Sequence, residues 1–67
     1  VNYVEIYKDV LSFHRNHSKI EDSERFWQGV IDDSEQIFKK YGRMKFVKEL
    51  LLTVIGELER KAKDLKE

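Results

Sequence analysis

Few residues in this 67-residue sequence have the type and spacing that chemistry needs. His14 and His17 are its two histidines, and three residues apart they share one helix face. Such a pair is half a metal site, which carboxylates or a second chain would have to complete. No nearby acid has the spacing of a known metal motif, and Cys is absent. The pair therefore reads as two partly buried histidines near a helix C-terminus, where the dipole favours a proton. The acids Glu24, Asp32, Asp33 and Glu35 raise the idea of a general acid–base pair. At helical spacing Glu24, Asp32 and Glu35 fall on an exposed face, and Glu35 stands four before Lys39, the favourable order for a helix pair. A solvated charged face is the reading adopted. Ser12, Ser18, Ser23, Ser34 and Thr53 lie in or beside helices without a strained turn to activate them. Gly29, Gly42 and Gly56 are isolated, so no glycine loop cradles phosphate. No catalytic residue, cofactor or metal is expected, and the chain is read as a non-enzyme.

Two surface features point to binding instead. Lys39, Lys40, Arg43, Lys45 and Lys48 form a basic corner, with Tyr41 and Phe46 between them. A tight turn at Gly42 would hold the following helix like a groove-reading helix on nucleic acid. Against that, this helix opens with Met44, Phe46 and Val47, where a reading helix needs exposed polar residues. The second feature is Leu52, which lies off the main apolar stripe of its helix with Gly56 four residues on and Ile55 beside it. A mid-helix Gly costs ~1 kcal/mol relative to Ala, and close approach of another helix is a reason to keep one. Leu52, Ile55 and Gly56 are therefore the candidate protein interface. Tyr3, Val4 and Tyr7 are a second candidate surface. The chain itself is the expected partner, another protein is the next, and nucleic acid at the basic corner is the alternative.

The elements that position these residues are helical. Pro is absent, and apolar residues recur at helical spacing throughout. Helix one is expected at about residues 3–16, capped by Asn2 with Glu5 in its first turn and stopped by Asn16-His17-Ser18-Lys19. Its apolar side carries Tyr3, Ile6, Tyr7, Val10, Leu11 and Phe13. Helix two is expected at about residues 22–41, with Ser18–Glu21 and Asp22–Glu24 as competing start signals and Gly42 as a strong stop. Helix three is expected at about residues 44–65. Its stripe covers about half the circumference, against ~100° for an ordinary surface helix, so it either backs onto both neighbours or runs past them. Connections of about five and about two residues make successive helices antiparallel. The expected fold is a single all-α domain, an up-down-up three-helix bundle that self-associates. A helical hairpin packed on its copy is the alternative. The expected core is Ile6, Val10, Phe13, Trp27, Val30, Ile31, Ile37, Phe38, Phe46, Leu50, Leu51, Val54 and Leu58.

Composition bounds the rest. Thirteen bases balance thirteen acids, a poor footing for a generic nucleic-acid binder. The balance is uneven along the chain, acidic from Glu21 to Phe38 and basic from Lys39 to Glu49. No apolar run approaches the ~20 residues of a membrane span, so no membrane association is expected. Val1-Asn2-Tyr3-Val4-Glu5 lacks the pattern of a signal peptide. With no Cys, a cytoplasmic setting is expected.

Phe26-Trp27 through Val30, Lys40-Tyr41, Phe46-Val47-Lys48-Glu49-Leu50-Leu51-Leu52 and Glu57-Leu58-Glu59-Arg60-Lys61 resemble short uncharacterised proteins of phage and prophage regions in Gram-positive bacteria. The resemblance covers about residues 20–63 and brings no motif of known chemistry. It implies a cytoplasmic accessory protein of mobile-element origin.

Overall fold

The computed structural model of the chain describes residues 2–21 and 23–66. It is an all-α three-helix bundle: α1 runs Tyr3–Asn16, α2 Glu24–Lys40 and α3 Lys45–Lys66. Each helix packs on both others.

The helix ends follow local chemistry. Asn2 is extended, and its side-chain oxygen accepts the Glu5 N–H at 3.2 Å, as a capping Asn should. At the other end of α1 the Ser18 hydroxyl donates to the Arg15 carbonyl at 2.9 Å, which helps close the helix and takes Ser18 out of the running as a cap for α2. That cap is Ser23, whose hydroxyl accepts the Phe26 N–H at 3.2 Å, so α2 starts at Glu24 rather than at residue 22. The competing start signal at Asp22 lies outside the described residues. The joins span residues 17–23 and 41–44, longer than expected because the capping residues stand outside the helices.

Gly42 takes the expected left-handed conformation, with φ +69°. Arg43 follows at φ +59°, a region costing ~1–2 kcal/mol for a residue with a Cβ. Its N–H donates to the Phe38 carbonyl at 2.9 Å, the long-range bond of a Schellman closure. The turn is therefore tighter than one glycine would make it, and it carries Arg43 outward into solvent.

The topology is up-down-up. Tyr3 and Tyr7 at the start of α1 meet Phe46 at the start of α3, edge to face, at ring separations of 5.4 and 5.9 Å. His14 and Ser18 near the end of α1 share a cleft with Leu58 and Lys61 of α3, so these two helices run parallel. Lys40, at the end of α2, reaches Asp9 and Glu5 on α1, which sets α2 antiparallel to both.

Ile6, Val10, Phe13, Val30, Val47, Leu51 and Leu58 form one buried cluster, with Ala62 also buried. Val47, near the start of α3, is fully buried, although the expected core omits it. Trp27, Ile37, Phe38, Phe46, Leu50 and Val54 pack around the cluster half-buried. Ile31 does not join it and is 48% exposed. It follows Val30 by one residue, about 100° further round α2, which takes it past the seam with α3. Leu11 is turned out of the apolar side of α1 for the same reason.

Helix α3 does both things its wide stripe allows. It backs onto α1 and α2 and also outruns α1, which is eight residues shorter. Leu65 continues the stripe but finds no cover and is 72% exposed. Among the described residues, no helix is long and apolar enough to cross a membrane.

Candidate functional site

Two bulky aliphatic side chains on these helices stay in solvent: Ile31 on α2, 48% exposed in a groove with Trp27 and Gln28, and Leu52 on α3, 55% exposed beside Ser34 and Phe38 at the α2–α3 seam. Phe38 and Ile55 lie half-buried, packed against the core. A shallow cleft of about 130 Å³ lies between Ser34, Glu35 and Phe38 on one side and Lys48, Leu51 and Leu52 on the other. A Cβ built on Gly56 would meet nothing within 4 Å, so no helix of this chain approaches it. Of the residues expected at the interface, the fold thus places Leu52 and Gly56 next to each other on an outer surface and sets Ile55 at its edge. Ile31, expected in the core, is exposed instead, in a groove with Trp27 and Gln28. A signal for this was present in its spacing: Ile31 stands seven residues from Glu24, about 20° away on the helix, beside a charged arc.

The basic corner divides in two. Lys39, Arg43, Lys45 and Lys48 are exposed. Arg43, Lys45 and Lys48 rim a cleft of about 450 Å³ that has Phe38 and Leu52 in its wall and Glu49 as its one acid. Lys45 lies 4.0 Å from Glu49, a loose pair. Lys40 is drawn the other way, 2.8 Å from Asp9 and 3.5 Å from Glu5 on α1. Met44, just before α3, and Phe46 in its first turn are half-buried, and Val47 is fully buried. The polar groups left on the outside there are Lys45, Lys48 and Glu49.

The histidines part company. His17 caps the end of α1, and its side chain is only 12% exposed. It sits edge-on to Phe13 and Phe26 and bonds through Nε2 to Asp33 at 2.8 Å. His14 turns instead to the cleft it shares with Glu57, Leu58 and Lys61 of α3. Among the described residues, no three His, Asp or Glu are grouped to hold a metal ion. Glu24, Asp32 and Glu35 are exposed, as their spacing implies, and Asp33 serves His17. Among the described residues the expected Glu35–Lys39 pair is not formed. Glu57 is paired with Arg60 instead, one turn on, and that bond holds its carboxyl below the ordinary range.

One cluster had no signal in the sequence, because Asp9 lies 31 or more residues from its partners. Asp9 accepts from both the Lys40 ammonium and the Tyr41 hydroxyl. The Lys40 bond, then the Tyr41 bond, holds the Asp9 carboxyl below its ordinary value of 3.8. Burial, then the bond to Asp9, pushes the Tyr41 phenol above its ordinary 10.0. The Asp9 bond likewise raises Lys40. Because the folded carboxyl binds its proton less readily than the unfolded one, its contribution is complete above about pH 4 and is lost as the pH falls further. Because phenol and ammonium are raised, theirs is complete below about pH 10 and is lost above it. Asp9→Asn is expected to lower stability by about 1 kcal/mol at neutral pH. Thermal melts followed by circular dichroism should show that difference shrinking as the pH falls below about 4.

The second candidate surface, on α1, is also exposed. Tyr3, Val4 and Tyr7 stand more than half out, and Leu11 extends them by a further turn. Compared with protein-family models, with curated proteins and with solved structures, the chain shows no match.

Proposed function

We propose that this bundle is a small protein-interaction module that pairs with a second copy of itself through the α2–α3 face. The observation that carries the reading is Leu52, a bulky aliphatic side chain more than half exposed at the α2–α3 seam, four residues before a glycine with open space over it. Exposed apolar residues are common singly; one that stands a turn before a small residue suits helix-to-helix contact. The chain acts as an accessory or structural component and not as an enzyme. The groups whose proton affinity the fold shifts are accounted for by bonds to a neighbour at Asp9, Lys40 and Glu57, and by burial and then the Asp9 bond at Tyr41. The resemblance of residues 20–63 to phage and prophage proteins adds a cytoplasmic setting to this reading.

A second reading has its own observation: Lys39, Arg43, Lys45 and Lys48 crowd one end, exposed. Contacts from such bases to phosphates would weaken steeply as salt rises. Binding of random duplex DNA at low salt, lost at physiological salt, would favour this reading.

Sedimentation of the unmodified chain from micromolar to millimolar concentration tests the pairing directly. A chain that remains monomeric throughout would end the reading. Gly56→Ala gives a sharper check because its two effects have opposite sign. In the isolated bundle the added methyl meets open space, so the helix should gain ~1 kcal/mol. In a domain of this size that raises the melting temperature by about 4–8 °C, measured in dilute solution where the monomer dominates. In the pair the same methyl stands where the partner comes close, so the dissociation constant should rise. If Gly56→Ala stabilises the fold and leaves association unchanged, Gly56 lies outside the interface.

A further inference from the structure

Separately from pairing at the α2–α3 face, we infer that the outer face of α1 is a docking surface for an acidic amphipathic helix of another protein. Tyr3, Val4, Tyr7 and Leu11 are each more than half exposed, and their spacing puts them together. Tyr3 to Tyr7 and Tyr7 to Leu11 are steps of four, and Val4 to Tyr7 is a step of three, the neighbour relations of a helix surface. The four form one ridge of about 12 Å, beside Ile6, Val10 and Phe13, which α1 buries. Phe46 of α3 holds both tyrosine rings edge-on, at ring separations of 5.4 and 5.9 Å. The tyrosines are thus ordered before a partner arrives, which lowers the cost of binding. Tyr is also among the residues that most often carry interface energy.

The charges of α1 select the occupant. Lys8 stands four after Val4 and three before Leu11, and Arg15 stands four after Leu11, so both bases flank the ridge. Both are exposed, and among the described residues neither forms an ion pair. The acids of α1 are drawn off towards α2, where Lys40 lies 3.5 Å from Glu5 and 2.8 Å from Asp9. On α3, Glu57 is taken by Arg60 at 2.6 Å, and Glu49, three residues after Phe46, lies 4.0 Å from Lys45. Asp64 shares the cleft near the end of α1 with Lys61. The ridge is thus apolar with a basic margin. A second copy does not match it. Two such ridges laid antiparallel bring the two Lys8 side chains together near the centre, and laid parallel they set like against like throughout. Like charges facing each other weaken an interface. An anionic bilayer matches it poorly as well. Basic patches that hold proteins on such lipid carry about four to eight bases, and this margin has Lys8 and Arg15 alone, on a chain whose thirteen bases balance thirteen acids. A partner helix with an apolar stripe and carboxylates beside it meets both halves of the surface.

The test uses the full chain and a display library of randomised helical peptides. Selection should enrich peptides with apolar residues at helical spacing and acids beside them. The strongest of these, measured by fluorescence anisotropy, should bind at least tenfold more weakly to Leu11→Glu and to the double variant Lys8→Glu, Arg15→Glu. All three sites are exposed, and circular dichroism melts verify that each variant folds. The same peptide with its acids changed to Lys should prefer the double variant to the unmodified chain. Leu52→Glu should leave peptide binding unchanged, which separates this surface from the α2–α3 face. Enriched peptides without acids, or binding that the double variant does not weaken, would overturn the proposal. So would a selection that enriches nothing over Leu11→Glu. Sedimentation with phosphatidylcholine–phosphatidylglycerol vesicles is the other arm: capture at physiological salt that Leu11→Glu abolishes would make the occupant a bilayer. If Val4→Glu dissolves a dimer of the unmodified chain, the occupant is a second copy and the proposal fails.

Discussion

Leu58→Ala is expected to remove most of the stability of this bundle. Leu58 is 1% exposed and belongs to the single buried cluster. Truncating a leucine so placed loses its transfer free energy and leaves a cavity that neighbours fill only in part, a cost of 2–5 kcal/mol. A domain of this length is stable by only about 3–10 kcal/mol in total. There is no Cys to staple the unfolded chain, so the apolar cluster has little support from elsewhere. Urea unfolding followed at 222 nm should show the midpoint fall to a small fraction of its normal value, or no folded baseline at all. Leu65→Ala supplies the contrast. It lies seven residues on in the same stripe, but at 72% exposure its truncation should move stability by less than about 0.5 kcal/mol. Similar losses at both positions would mean that the end of α3 is covered in solution.

Leu52→Glu is expected to abolish pairing without unfolding the bundle. The side chain is more than half exposed, so its exchange should cost the monomer little. Lys48 stands one turn before it, in reach of the introduced carboxylate. In the pair the consequence is large. An aliphatic side chain at the interface is replaced by a charge that must be desolvated. A loss of about 2 kcal/mol or more is the scale of a central interface residue, roughly thirtyfold in the dissociation constant. Sedimentation equilibrium at one fixed concentration should change from dimer to monomer while the circular dichroism spectrum stays the same. Val4→Glu, on α1 at a site 62% exposed, should leave the dimer intact. The reverse result, with Val4→Glu dissolving the pair and Leu52→Glu leaving it, would move the interface to the aromatic face of α1.

The two expectations depend on different kinds of information. That Leu58 and Leu65 both belong to an apolar stripe follows from a period of 3.6 residues. That one is buried and the other bare depends on where α1 ends relative to α3, which no local pattern encodes. The same holds for Ile31. Its type suits a core, and only the position of the α2–α3 seam turns it outward.

Local chemistry determined much of this protein in advance. The span of α1 follows from its cap at Asn2 and the polar run at its end, and the stop of α2 follows from Gly42, because caps and left-handed glycines act within a few residues. The three-helix class follows from continuous helical periodicity without Pro. The apolar oddity of Leu52 and Gly56 was visible because both depart from a pattern that surrounds them. Tertiary structure decided what depends on distance in space. It joined Asp9 to Lys40 and Tyr41, took Lys40 out of the basic corner, and sent His17 to Asp33 and His14 to α3. It also left Ile31 in solvent and opened the cleft beside Leu52 between α2 and α3. These relations arise between residues far apart in the chain, and packing three helices of unequal length is what creates them.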